Sequence, residues 1–160
     1  MLCYRERTRR GHRPFRVTGG GSCDNSLVTT TRAAYFDPER DLIVEALVNS
    51  RTDIEPLLAK TLAMRSGRGH PTLELSRPDG SSLSLATDSS RAFLNWTKSL
   101  GESFHSTGDG RSNSLVFDYF GPWSEVPGDH AVGLDGGIEC LENFLEHGVP
   151  DSPQVSFQPD

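Results

Sequence analysis

Residues 114–126 read SLVFDYFGPWSEV, and the reading of this stretch decides the fold. Side chains of a strand alternate between its two faces. Leu115, Phe117 and Tyr119 therefore share one face, and Val116, Asp118 and Phe120 share the other. Both sets are largely apolar, which predicts a central strand covered on both sides, with Phe117 and Tyr119 in the core. Gly121 and Pro122 end it, because Pro cannot donate to a ladder and Gly turns the chain. Trp123 and Glu125 then stand just past the break. The other Trp, Trp96, lies in the strand expected upstream, where core packing is its natural role.

Upstream of this element, residues 27–36 are Thr-rich and β-branched, a strand pattern. A Pro-containing turn separates them from a second strand, LIVEALV, at residues 42–48. Thr52-x-x-Glu55 matches a capping box, and Ile54, Leu57, Leu58, Thr61 and Leu62 trace one buried helical face. Residues 72–77 and 81–87 alternate Leu with Glu or Ser around Pro78-Asp79-Gly80, the pattern of a hairpin. Residues 92–97 form the next strand, and residues 101–113 a long polar loop, a candidate working surface. Downstream, residues 126–133 read as loop. Asp135 caps a second helix, with a stripe of Leu134, Ile138, Leu141 and Leu145, that ends at His147 before Gly148 and Pro150. QVSFQ, at residues 154–158, is a short last strand. The order predicts an α+β fold: one domain, a mostly antiparallel sheet and two helices packed on it.

Charge divides the chain. Residues 1–24 hold six Arg against Glu6 and Asp24, a balance of +4. The remainder holds ten Lys or Arg against twenty Asp or Glu, a balance of −10, and the whole stands at −6. Residues 1–25 lack a hydrophobic period and end in Gly-Ser linker composition. They are read as a disordered Arg-rich leader, or as an upstream start to the reading frame, ahead of a domain at 26–160. An acidic body repels nucleic acid and attracts a basic protein. No apolar run approaches the length of a membrane span. Three Cys without CxxC spacing fit free thiols in a reducing cytoplasm.

No catalytic motif stands out. The five His form neither HExxH nor a Cys/His zinc cluster, so neither a metal nor a cofactor is expected. A hydrolase using carboxylates, or Ser103 and His105 with Asp118, is the alternative reading, although no GxSxG elbow is present. A second alternative is a nucleic-acid-binding module acting through the leader.

The segments NWTKSLGESFHS at 95–106 and LVFDYFGPWSEVP at 115–127, with the preceding HPTLELSRPDGSSLSL hairpin, carry a resemblance. They resemble the immunity protein 1 family of bacterial polymorphic toxin systems, in versions found in high-GC actinobacteria such as streptomycetes. The resemblance covers residues 26–160 and leaves the leader unmatched. It implies an α+β immunity protein that neutralises a toxin encoded beside it, often a nucleic-acid deaminase. Trp96, Glu102, Trp123 and Glu125 match the family's Trp and acidic positions. On this expectation Glu102, Asp109, Asp118, Glu125 and Asp129 oppose toxin Lys and Arg, Phe104 and Trp123 are apolar anchors, and inhibition is occlusion without turnover.

Overall fold

The computed structural model describes the backbone of residues 4–8, and residues 30–64, 69–88, 90–108 and 113–160. The chain order is β1 (Tyr4–Thr8), β2 (Thr31–Asp37), β3 (Leu42–Val48), α1 (Arg51–Ala63), β4 (Leu73–Ser76), β5 (Ser82–Thr87), β6 (Arg91–Thr97) and β7 (Ser103–Thr107). Then come β8 (Leu115–Asp118), β9 (Trp123–Val126), a 3₁₀ turn at Gly128–His130, β10 (Val132–Gly133), α2 (Leu134–His147) and β11 (Ser156–Pro159). The main sheet runs β1-β3-β2-β4-β5-β6-β7-β11, with β10 against the start of β6, and every ladder is antiparallel. This is the α+β fold that the sequence predicts.

Three of the hairpins are set by a local carboxylate. Asp37 Oδ1 accepts from the backbone N–H of Glu39 (3.1 Å) and Arg40 (3.2 Å), fixing the β2–β3 turn. Asp79 Oδ1 accepts from the Ser81 N–H at 2.9 Å and its hydroxyl at 2.6 Å, and Gly80 supplies the left-handed φ of 87° between β4 and β5. Asp88 takes the Arg91 N–H at 3.0 Å and its Nε at 2.9 Å at the start of β6.

Both helices cover one face of the sheet. Ile54, Leu57 and Leu58 of α1 and Cys140, Leu141, Phe144 and Leu145 of α2 share one cluster with Tyr35, Val44, Leu75, Leu83, Leu85 and Leu94. Arg51 of α1 reaches Glu142 of α2 at 3.0 Å. At the far end of α2, Arg77 donates to the Phe144 and Leu145 carbonyls at 3.3 and 3.2 Å, satisfying groups the helix leaves open. On the opposite face sits a smaller cluster of Ala86, Leu115, Phe117 and Ala131, with Phe93 and Val126 against it.

Several expectations are corrected. Residues 114–126 do not form a central strand: β8 forms a two-stranded ladder with β9, Leu115 opposite Val126 and Asp118 opposite Trp123, and a parallel bridge joins Asp118 to Pro71, just ahead of β4. The strand stops early because Asp118 Oδ1 accepts the Gly121 N–H at 2.5 Å, and the Tyr119 N–H reaches the Pro122 carbonyl at 2.8 Å. The chain folds back through Phe120 (φ 54°) and Gly121 (φ 105°). Tyr119 consequently leaves the core and is 46% exposed, whereas Phe117 and the half-buried Trp96 pack as expected. The helix start lies at Ser50, not Thr52, and Asp53 reaches back to the N–H groups of Asn49 (2.9 Å) and Ser50 (3.1 Å). Residues 103–107, expected in a loop, form β7, because Gly101 (φ 86°) closes a tight turn in which the Lys98 N–H bonds the Glu102 carbonyl at 2.8 Å. Tyr4–Thr8, expected in a disordered leader, pairs with β3 from Tyr4 opposite Ala46 to Thr8 opposite Leu42.

Candidate protein-binding face

The alternation that buries Leu73, Leu75, Leu83, Leu85 and Leu94 beneath the helices turns their neighbours outward. Antiparallel register then aligns these neighbours across five strands: Glu74 opposite Ser84, Ser84 opposite Asn95, Asn95 opposite His105, and His105 opposite Gln158. At about 4.8 Å between strands the row runs about 19 Å. It is a polar floor with hydroxyl, amide, imidazole and carboxylate groups in line.

The β8–β9 hairpin forms a wall beside this floor. The Asp118 carbonyl accepts from the Thr72 N–H at 2.9 Å and its hydroxyl at 2.8 Å, and the Asp118 N–H bonds the His70 carbonyl at 3.0 Å. Gly69 permits the approach, since a Cβ there would stand 2.6 Å from the Phe117 Cα. Between wall and floor lies a depression of about 150 Å³, with Ser84, Ala86, Phe93 and Asn95 below and Phe117, Tyr119 and Ser124 beside. The Phe93 and Phe117 rings stack at 6.0 Å.

Two carboxylates flank the depression. Glu74 accepts from the Ser76 hydroxyl at 3.1 Å and the Ser84 hydroxyl at 3.4 Å. Burial, and then the charge of Glu74, push the Tyr119 phenol up. On the other side Asn95 Nδ2 donates to Asp160 and to the Ser103 hydroxyl, both at 3.3 Å. Asp160 also accepts from the Ser103 hydroxyl, and lies 2.5 Å from His105 Nδ1. Those bonds, the Ser103 one foremost, hold its carboxyl below the usual range against the opposing effect of burial.

The predicted contact residues do not converge. Glu102 sits exposed in the β6–β7 turn, paired with Lys98 at 3.1 Å. Glu125 is on β9, accepting from the Ser114 hydroxyl, at the end where Arg91 holds the Asn113 and Ser114 carbonyls at 2.7 and 3.1 Å. The length of β6 separates those ends by about 20 Å. Phe104 is half-buried on the helix side, 5.3 Å from the Trp96 ring, with Lys98 Nζ 4.3 Å above it. Asp118 is 4% exposed and serves the turn, so it is not a surface charge. Trp123 is 51% exposed at the hairpin tip, and Asp129 is exposed beside His130 at 3.8 Å. Asp109 lies outside the described residues.

Ser103 and His105 do come together, around Asp160 instead of the expected Asp118. The order is not that of a hydrolase relay, in which the imidazole stands between carboxylate and hydroxyl. Here Asp160 stands between Ser103 and His105. His105 Nε2 faces the Gln158 amide nitrogen at 2.6 Å, which makes it an acceptor and leaves Nδ1–H to donate to Asp160. Among the described residues no three His, Cys, Asp or Glu cluster as metal ligands, and no helix is long and apolar enough to cross a membrane.

Sequence reasoning overlooked Glu74, Ser84, Asn95 and Asp160. The Leu-Glu-Leu and Leu-Ser-Leu alternation already places Glu74 and Ser84 outward. Nothing local places Asn95 or Asp160 beside them. Comparison with protein-family models found no match for the chain, and comparison with curated proteins found none either.

Proposed function

We propose that this chain is an immunity protein that binds a basic toxin domain, a nucleic-acid deaminase on the resemblance described above, and blocks its cleft without turnover. The observation that carries the reading is the polar face: two carboxylates flank an aromatic-lined depression with no Lys or Arg in its lining, on a body with twice as many acidic as basic residues. A cleft that binds nucleic acid is rich in Lys and Arg, and such a face complements it in sign. Exposed aromatics on a hairpin held to the sheet add anchors that need little ordering on binding.

The test is co-expression with the toxin domain encoded beside this gene. Growth should recover, and the two chains should co-purify one to one. Cells that die equally with and without this chain would end the reading. The Ser103–Asp160–His105 cluster is what favours a hydrolase as the second reading. Turnover of an ester, phosphate or glycoside by the purified chain, lost in His105→Ala, would decide for it.

A further inference from the structure

The geometry points to a pocket for a single arginine: the depression between the β5–β6 floor and the β8–β9 wall receives one arginine side chain presented by the protein partner. The identity of that partner rests on the function proposed above.

Size argues first. Small-molecule sites run about 300–1,000 Å³, and this depression, at about 150 Å³, suits one side chain better than a nucleotide. Its chemistry argues next. Ala86, Phe93 and Phe117 offer an apolar bed for a long aliphatic stem, which cationic side chains bury while their heads stay at a polar rim. At that rim the Tyr119 ring lines one side and the Glu74 carboxylate stands over Ser84. Among the described residues no Lys or Arg pairs with Glu74, whose carboxylate accepts from the neutral Ser76 and Ser84 hydroxyls and keeps its charge. Asn95, its amide nitrogen committed to Ser103 and Asp160, keeps its carbonyl oxygen as an acceptor.

Arginine fits better than lysine. Its guanidinium is planar and weakly hydrated, stacks on aromatic rings and presents several N–H donors in one fork. An ammonium is a compact, strongly hydrated point charge that gains less from the ring face.

The test titrates N-acetyl-arginine amide into the full chain and follows backbone amide NMR shifts. N-acetyl-citrulline amide, similar in shape but uncharged, and N-acetyl-lysine amide are the other arms. Saturable shifts confined to the neighbourhood of Ser84, Asn95, Tyr119 and Ser124 are expected for arginine. Citrulline should bind about tenfold more weakly, and Glu74→Gln should cost arginine a similar factor. Absent or scattered shifts, or arginine no tighter than citrulline or lysine, would overturn the assignment. With the toxin domain, Ser124→Phe should fill the depression and weaken binding by about tenfold or more, in a chain whose thermal unfolding matches wild type. Undiminished toxin affinity would remove the pocket and leave neutralisation standing. A toxin domain that binds neither chain would defeat neutralisation, and the titration would then decide the pocket alone. Should Ser124→Phe fail to fold, Glu74→Gln carries the same comparison.

Discussion

Cys140 is fully buried in α2, and burial pushes its thiol up to about 12, with the charges of Glu139 and Asp151 adding to the effect. The thiolate is the reactive form, so Cys140 should resist alkylation in the native chain at pH 8 and react once guanidinium unfolds it. Peptide mass spectrometry reads this directly, and fast labelling of native protein would contradict the packing. Asp160 gives a pH-dependent counterpart. Its folded carboxyl titrates below the unfolded one, so its bonds to Ser103 and His105 contribute fully above the ordinary carboxylate range. They are lost as pH falls through the lower, folded value. Denaturant midpoints of wild type and Asp160→Asn should therefore differ at pH 7, and the gap should begin to narrow only as pH falls below about 4, closing beneath the lower, folded value. A gap that persists in acid would mean that the carboxylate is not what stabilises the cluster. The position of Asp160 had no signal in the sequence, because its partners Ser103 and His105 lie more than fifty residues away.

At the scale of elements, α2 shows what hydrophobic periodicity can and cannot read. The expected stripe includes Leu134 and Ile138, which are half-buried, while Gly137, Cys140 and Phe144, outside that stripe, are buried. A Cβ on Gly137 would stand 2.5 Å from the Ala92 Cβ and 3.1 Å from the Leu85 Cδ1, so the missing side chain is itself the packing device. Gly137→Ala should destabilise by about 1–3 kcal/mol, outweighing the ~1 kcal/mol that alanine gains in a helix. Urea unfolding measures the sign, and a stabilised variant would show that helix and sheet can separate freely. Similarly, β7 hides from pattern reading because its buried member is a serine. The Ser106 hydroxyl accepts the Leu94 N–H at 3.0 Å and donates to the His130 carbonyl at 2.6 Å, work ordinarily done by backbone. The β4–β5 hairpin was legible because its alternation and its Pro-Asp-Gly turn agree. The β8–β9 hairpin misled because apolar residues on both faces of a stretch also suit a short ribbon that packs Leu115 and Phe117 on one face and leaves Trp123 exposed on the other.

For the whole molecule, sign and layering were legible, but the polar row was not. That row requires the register of four successive ladders, each fixed by its own turn or edge, and no window of sequence contains them all. The proposed mode of binding makes a rate prediction. Association with a basic partner should slow steeply as salt rises from about 50 to 500 mM, while dissociation changes little, because steering is screened more than close contact. Stopped-flow association that ignores salt would separate binding from the charge of this body.

The place of Tyr4–Thr8 beside β3 has a practical consequence. Trimming the first 25 residues as dispensable would strip the neighbour from LIVEALV and leave its amide and carbonyl groups open along a hydrophobic margin. Bare margins of this kind recruit other chains. A shortened chain should therefore self-associate on size-exclusion chromatography at concentrations where the untrimmed 160-residue chain does not.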